Sequence, residues 1–195
     1  MTNKPLIAGV LALIISASPS FALAAVHVNP KQQNVVEFIN EMVEKYDFDR
    51  AALTKVLAKA EIKASIVEKI STPAERKLSW GEYRKIFITP ERVNAGAAFW
   101  LENEDMLKRI ALETGVPIEI LVGIIGVETY FGRITGKDRV IDALATLAFS
   151  YPPRETFFRK ELMEFLILAR EEDVDPTVPM GSYAGAMGRP QFMPS

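Results

Sequence analysis

The stretch GIIGVETYFGR, Gly123 to Arg133, places one carboxylate, Glu128, at the close of an apolar run. Ile124 and Ile125 stand one turn before it and Tyr130 and Phe131 follow directly, so at helical spacing its surroundings read as apolar. Desolvation disfavours a charged carboxylate at such a position, and the negative end of the helix dipole acts in the same direction. Glu119, in the first turn of the same segment, has the opposite relation to the dipole. A carboxylic acid held neutral among apolar side chains is the group that protonates a leaving oxygen in glycosidic bond cleavage. The same spacing also fits a surface ion pair with Arg133 or Lys137, and composition and spacing leave both readings open.

Absent residue types narrow the chemistry further. The chain has no cysteine, which removes disulfides, thiolate nucleophiles and thiolate-bound metals. Its one histidine is His27, so Ser-His-Asp catalysis and multi-histidine metal sites are closed. Acid-base chemistry therefore falls to carboxylates, lysine or tyrosine. A formal charge of -2 over 195 residues provides no broad basic footprint, and nucleic acid is not an expected partner. With 49% hydrophobic and 25% charged residues the composition is that of a globular domain.

Positioning such a carboxylate calls for helices, and nearly every segment reads as one. NVVEFINEMVEKYDFD (34–49) and DRAALTKVLAKAEI (49–62) carry apolar residues at helical spacing, with Asp49 as the N-cap of the second. TPERVNAGAAFWLENEDMLKRIALETG (89–115) opens on Thr89 and Pro90 and closes on Gly115, predicting one long helix. VPIEILVGIIGVETYFG (116–132) is apolar all round, which predicts a buried helix with Glu128 near its C-terminal end, about one turn before Gly132. RVIDALATLAFSYP (139–152) and RETFFRKELMEFLILAREED (154–173) add two more, the first stopped by Pro152 and Pro153. After Asp175 the chain is rich in Pro, Gly, Ser and Met, and no useful period-two alternation occurs, so no sheet is expected to organise the fold.

The N-terminus has the marks of a secretory signal. Lys4 precedes the apolar stretch LIAGVLALII, and Ala22-x-Ala24 offers small residues at cleavage spacing. Residues 1–24 are expected to be a signal peptide, with an exported, periplasmic domain over 25–195 and no stable membrane anchor.

Four blocks, GVPIEILVGIIGVETYFGR, KDRVIDALATLAF, YPPRETFFRKEL and GSYAGAMGRPQFMPS, resemble in order and separation the lytic murein transglycosylase B family. The resemblance is close from Trp80 to Ser195 and looser before it. It implies a mainly α, lysozyme-like catalytic domain acting on peptidoglycan glycan strands. By position Glu128 matches the family's single catalytic acid/base, and Ser182 a serine that orients the N-acetyl group or the glycan. Gln191 and Phe192 match residues lining the sugar cleft, and Tyr83 and Arg154 positions in contact with glycan or stem peptide. Pro153 stands where relatives often carry a second arginine. Each has a plainer role available: core aromatics for Tyr83 and Phe192, a helix-start charge for Arg154, a turn or cap for Ser182.

Standard glycosidases use two carboxylates. Only Glu128 lies in a recognisable block, while Asp138 and Asp142 read as a loop charge and a helix-surface residue. The reaction implied by the resemblance needs one acid: it protonates the bond oxygen between N-acetylmuramic acid and N-acetylglucosamine and then acts as base while the sugar's own 6-hydroxyl attacks. The product is a 1,6-anhydromuramoyl end. A hydrolytic muramidase and a non-catalytic peptidoglycan-binding fragment are the alternatives. Family members continue past QFMPS, some with a calcium-binding loop there, so the expected domain is incomplete at its C-terminal end, with low stability and activity. No metal and no cofactor is expected among these residues.

Overall fold

A computed structural model of the chain describes residues 25–72 and 78–195. The expected signal segment, 1–24, lies outside the described residues. The mainly α expectation holds. The helices are α1 (Gln33–Tyr46), α2 (Arg50–Leu57), α3 (Ala64–Ser71), α4 (Trp80–Phe87), α5 (Pro90–Glu102), α6 (Glu104–Thr114), α7 (Ile118–Thr129), α8 (Val140–Ser150) and α9 (Glu155–Glu171). Two-residue strands β1 (Asp138–Arg139) and β2 (Met180–Gly181) pair antiparallel, with Asp138 opposite Gly181. Among the described residues no single helix is long and apolar enough to cross a bilayer.

The apolar side chains settle into two clusters. The larger joins α1, α2, α3, α8 and α9, with α8 at its centre: every residue from Val140 to Phe149 is buried. Ala143, Ala145 and Ala148 keep that helix thin enough to be surrounded. α1 contributes Val35, Phe38, Ile39 and Met42, one apolar stripe at the period of a helix. The smaller cluster is Phe99, Leu107 and Val122, from α5, α6 and α7.

Buried polar groups fasten α8 to its neighbours. Asp142, fully buried, accepts the Glu61 N–H at 2.9 Å through Oδ1 and the Arg139 Nε–H at 2.8 Å through Oδ2. The Lys63 ammonium lies 3.2 Å from the same carboxylate. One turn on, Thr146 accepts the Lys63 N–H at 3.0 Å and donates to the Glu61 carbonyl at 3.2 Å. The sequence reading of Asp142 as a helix-surface residue is therefore corrected. The extended backbone between α2 and α3 presents unpaired polar groups to α8, and Asp142 and Thr146, four residues apart, satisfy them.

Two helix expectations change as well. The single helix over 89–115 is broken at Asn103, whose side-chain amide donates to the Phe99 carbonyl at 2.7 Å and competes with the helical ladder. Its ends are as expected, with Thr89 accepting the Arg92 N–H at 3.2 Å and Gly115 left-handed at φ 72°. α7 is not buried all round: Ile120, Ile124 and Val127 are exposed, because α5 and α6 pack only against its other side, where Val122 and Gly126 are buried. α4, which apolar spacing alone did not predict, is set by a capping box. Ser79 accepts the Glu82 N–H, and the Glu82 carboxylate accepts from the Ser79 hydroxyl at 2.7 Å and its N–H at 2.8 Å. The hydroxyl first, and then the backbone N–H, holds the Glu82 carboxyl below its usual range.

Replacing Asp142 with alanine orphans the Glu61 N–H and separates two cations from their shared partner. Because both cations reach solvent, the expected loss is about 2–3 kcal/mol rather than the full value of a sealed pair. Glu104→Ala, which removes the exposed Glu104–Lys108 pair at 2.8 Å, should change stability by under about 0.5 kcal/mol. Urea denaturation of the two variants checks the contrast.

Candidate active site

α7 ends in a sharp reversal. Tyr130, Phe131 and Gly132 all take left-handed backbone, at φ 50°, 60° and 84°, and the Phe131 N–H closes the helix on the Ile125 carbonyl at 3.2 Å. Two successive non-glycine residues in that region are strained, and the packing shows what holds them. The Phe131 ring folds back between α5 and α7, where a Cβ on Gly96 or Gly126 would come within 2.9 or 2.8 Å of it. The Phe99 ring lies 5.5 Å away, centroid to centroid. Arg92 donates to the Gly126 carbonyl at 3.0 Å, satisfying a C-terminal helix carbonyl, and lies 4.7 Å over the Tyr130 ring. Arg133 also lies over that ring, at 5.0 Å.

This reversal leaves Glu128 on the open side of α7. It is exposed, not enclosed by apolar walls as the sequence suggested, since the Ile120–Ile124–Val127 face beside it is uncovered. The ion pair with Arg133 or Lys137 is not formed either, since among the described residues no cation lies within 4.0 Å of Glu128. Glu128 borders a shallow groove of ≈ 330 Å³ with Glu119, Ile120, Gly123, Ile124 and Val127. A second groove of ≈ 420 Å³ shares Glu119, Gly123 and Val127 with it and continues across Phe87, Arg92 and Trp100. The two grooves meet along that Glu119–Gly123–Val127 stripe of α7 and together form one trough; Glu128 lines only the first of them.

The carboxylates near this trough can be sorted by position. Glu119 precedes Glu128 by nine residues, about 13 Å of helical rise, beyond the roughly 5–9.5 Å that couples two glycosidase carboxylates. Asp142 is buried in the α8 network, and Asp138 faces Lys63 at 3.5 Å. Of the two carboxylates that line the first groove, Glu119 is thus too far along the helix to pair with Glu128.

The segment after β2 is brought to the same helix end. Thr129, fully buried, donates to the Arg189 carbonyl at 2.8 Å and accepts the Gly132 N–H at 2.9 Å. Gln191, left-handed at φ 54°, donates from Nε2 to the Thr135 carbonyl at 3.1 Å and the Gly188 carbonyl at 2.9 Å. The Met187 N–H binds the Phe192 carbonyl at 2.9 Å, leaving the Phe192 ring exposed. The hydroxyl of the residue after Glu128 thus ties the α7 end to Arg189, two residues before Gln191.

Other expected site residues are less tightly drawn in. The Ser182 hydroxyl accepts the Ala184 and Ala186 N–H groups at 3.3 and 3.0 Å, the turn-forming role that was its plainer alternative. Tyr83 is exposed on α4 between the Trp80 and Phe87 rings, 6.1 and 5.0 Å away, and reaches the trough only through Phe87. Arg154, at the start of α9, rests over the Phe157 and Phe158 rings at 4.4 and 5.0 Å and is not joined to the α7 end. Sequence reasoning missed Thr129, Arg92 and the Phe131 wedge. The only local signals for them were a threonine beside Glu128 and the glycines at 96 and 126.

A helical domain with an apolar groove along one helix and an exposed carboxylate at that helix's end is the class these features define. The Transglycosylase SLT domain model matches residues 30–195, and the chain belongs to that family. Membrane-bound lytic murein transglycosylase B of Escherichia coli (strain K12) is 47% identical over 171 residues, 83% of this chain and 47% of that protein. The soluble lytic transglycosylase SltB1 of Pseudomonas aeruginosa is 56% identical, with a TM-score of 0.79 over 81% of this chain and 53% of that one. A more distant structure, Pseudomonas aeruginosa SltB3 in complex with NAG-NAM-pentapeptide, is 26% identical, with a TM-score of 0.73 over 81% of this chain and 42% of that one. The fold is the helical, lysozyme-like one of these lytic transglycosylases, and the chain spans about half the length of the relatives it matches.

Gly126→Ala drives a methyl into the clasped Phe131 ring and should cost about 1–3 kcal/mol. Gly123→Ala, on the same helix with nothing within 4 Å of its Cβ, should be neutral or stabilise by up to about 1 kcal/mol. Thermal denaturation monitored by circular dichroism distinguishes the two.

Proposed function

We propose that this chain carries the acid/base centre of a peptidoglycan lytic transglycosylase, exported to the periplasm by residues 1–24. The observation that carries the reading is the exposed carboxylate Glu128 beside the groove of α7 in a Transglycosylase SLT domain, with Glu119, which lines the same groove, beyond glycosidase distance. The named activities of the relatives support the substrate class. A glycan strand lies along α7 with the bond between N-acetylmuramic acid and N-acetylglucosamine over Glu128. The Glu128 carboxyl donates its proton to the bridging oxygen, the N-acetylglucosamine side leaves as an alcohol, and the muramoyl N-acetyl group stabilises the developing positive charge at C1. Glu128, now a carboxylate, takes the proton of the muramoyl 6-hydroxyl as that oxygen bonds to C1. The acid is regenerated and a 1,6-anhydro end is left, with no water consumed.

Gln191 and Phe192 offer an amide and an aromatic face to the glycan beside Glu128, and Ser182 shapes the turn that carries them. Tyr83 extends the contact along the trough and Arg154 meets stem peptide farther off. A peptidoglycan-binding fragment is the second reading. It is favoured by the exposure of Glu128, because intramolecular attack outcompetes water only where the cleft excludes it.

Incubating the 195-residue chain with purified sacculi and separating the soluble products by mass spectrometry tests both. Anhydromuropeptides are expected, at a modest rate given the open trough, with a loss of about 100-fold or more in Glu128→Gln. Reducing muramic acid ends would assign a hydrolytic muramidase instead. Sedimentation of the chain with sacculi without release of product would leave the binding reading.

A further inference from the structure

Glu161 is, with Asp142, a buried carboxylate that this chemistry does not use. It lies on the core face of α9 among Phe158, Leu162 and Phe165, 2% exposed. A carboxylate in such a place is unfavourable unless its oxygens are occupied. One residue occupies both: Ser195 donates its N–H to Oε2 at 3.0 Å and its hydroxyl to Oε1 at 2.8 Å. Among the described residues no cation lies within 4.0 Å of Glu161, so the pairing is to Ser195 and not to a charge. A leucine would fill the same space with less penalty, so fold stability alone does not account for a glutamate here.

Ser195 ends the segment that carries Gln191 and Phe192. Thr129 and Thr135 hold that segment at the α7 end, Met187 and Met193 rest on the larger core cluster, and Glu161 holds its far end. Gln191 has left-handed backbone without being glycine, a conformation that persists only where both flanks are constrained. We propose that Glu161 is a positioning residue: by clamping Ser195 it sets the path of Met187–Ser195 and so the placement of Gln191 and Phe192 beside Glu128. The clamp itself is read from hydrogen bonds. Only its consequence for glycan binding rests on the function proposed above.

Amide hydrogen exchange on the full chain tests the clamp without requiring activity. In Glu161→Leu the Met187 and Gln191 amides should exchange at least ten times faster, while those of Leu144 and Leu147 in α8 stay within twofold and the thermal midpoint is unchanged or higher. Ser195→Ala, which removes one of the two hydrogen bonds and leaves the core intact, should give a smaller change confined to the same segment. It also serves as the second variant if Glu161→Leu does not fold. Unchanged Met187 and Gln191 exchange in Ser195→Ala together with Glu161→Leu, or faster exchange spread equally over α8, overturns the proposal. Affinity for chitotetraose, measured in parallel, should fall at least fivefold in Glu161→Leu. A wild-type chain that does not bind chitotetraose but shows the segment-specific exchange retains the clamp and removes the glycan reading. A wild type that binds, with unaltered affinity in both variants, overturns the positioning role.

Discussion

The reversal after Thr129 is the constraint on which the site depends. Three left-handed residues in succession turn the chain back on itself, and they are held because Phe131 fills the gap that Gly96 and Gly126 leave between α5 and α7. The strain at Tyr130 and Phe131 is thus offset by an aromatic contact and by the Arg92 hydrogen bond to the Gly126 carbonyl. The turn brings Thr129 inward to hold the Arg189 carbonyl and leaves its neighbour, Glu128, facing the trough. One local geometry decides both where the acid points and what stands beside it.

The acidic side chains divide by what they face. Asp142 and Glu161 are buried with their oxygens engaged by backbone N–H groups and side-chain donors, and each joins parts of the chain far apart in sequence. Glu128 is exposed beside the groove of α7. In the first two the carboxylate is an acceptor that organises backbone; in the third, the acid/base centre proposed above, it is open to solvent. A structural role consumes the lone pairs, and a chemical role leaves them free.

Much of this could be read before the fold was seen. Apolar spacing in α1, the Asp49 and Thr89 N-caps and the Gly115 C-cap depend on neighbours within a turn or two, and the structure has them as expected. The break at Asn103 escaped notice because a side chain competing with its own helix leaves no mark on the apolar period. The apolar circumference of α7 was misread as burial. Periodicity reports which side chains favour leaving water, not whether another element covers them, and Ile120, Ile124 and Val127 have none over them.

The sequence by itself determined the helical class, the exclusion of thiol and histidine chemistry, and the choice of Glu128 as the chemically interesting carboxylate. The first two follow from residue types and short-range spacing, the third from the resemblance of the blocks around Glu128. Only the tertiary structure decided that Asp142 is a buried fastening, that Glu128 is open to solvent, and that buried Glu161 meets Ser195, 34 residues on. Each of these depends on which surfaces pack together across the chain, and burial of a carboxylate is a property of that packing rather than of its neighbours in sequence.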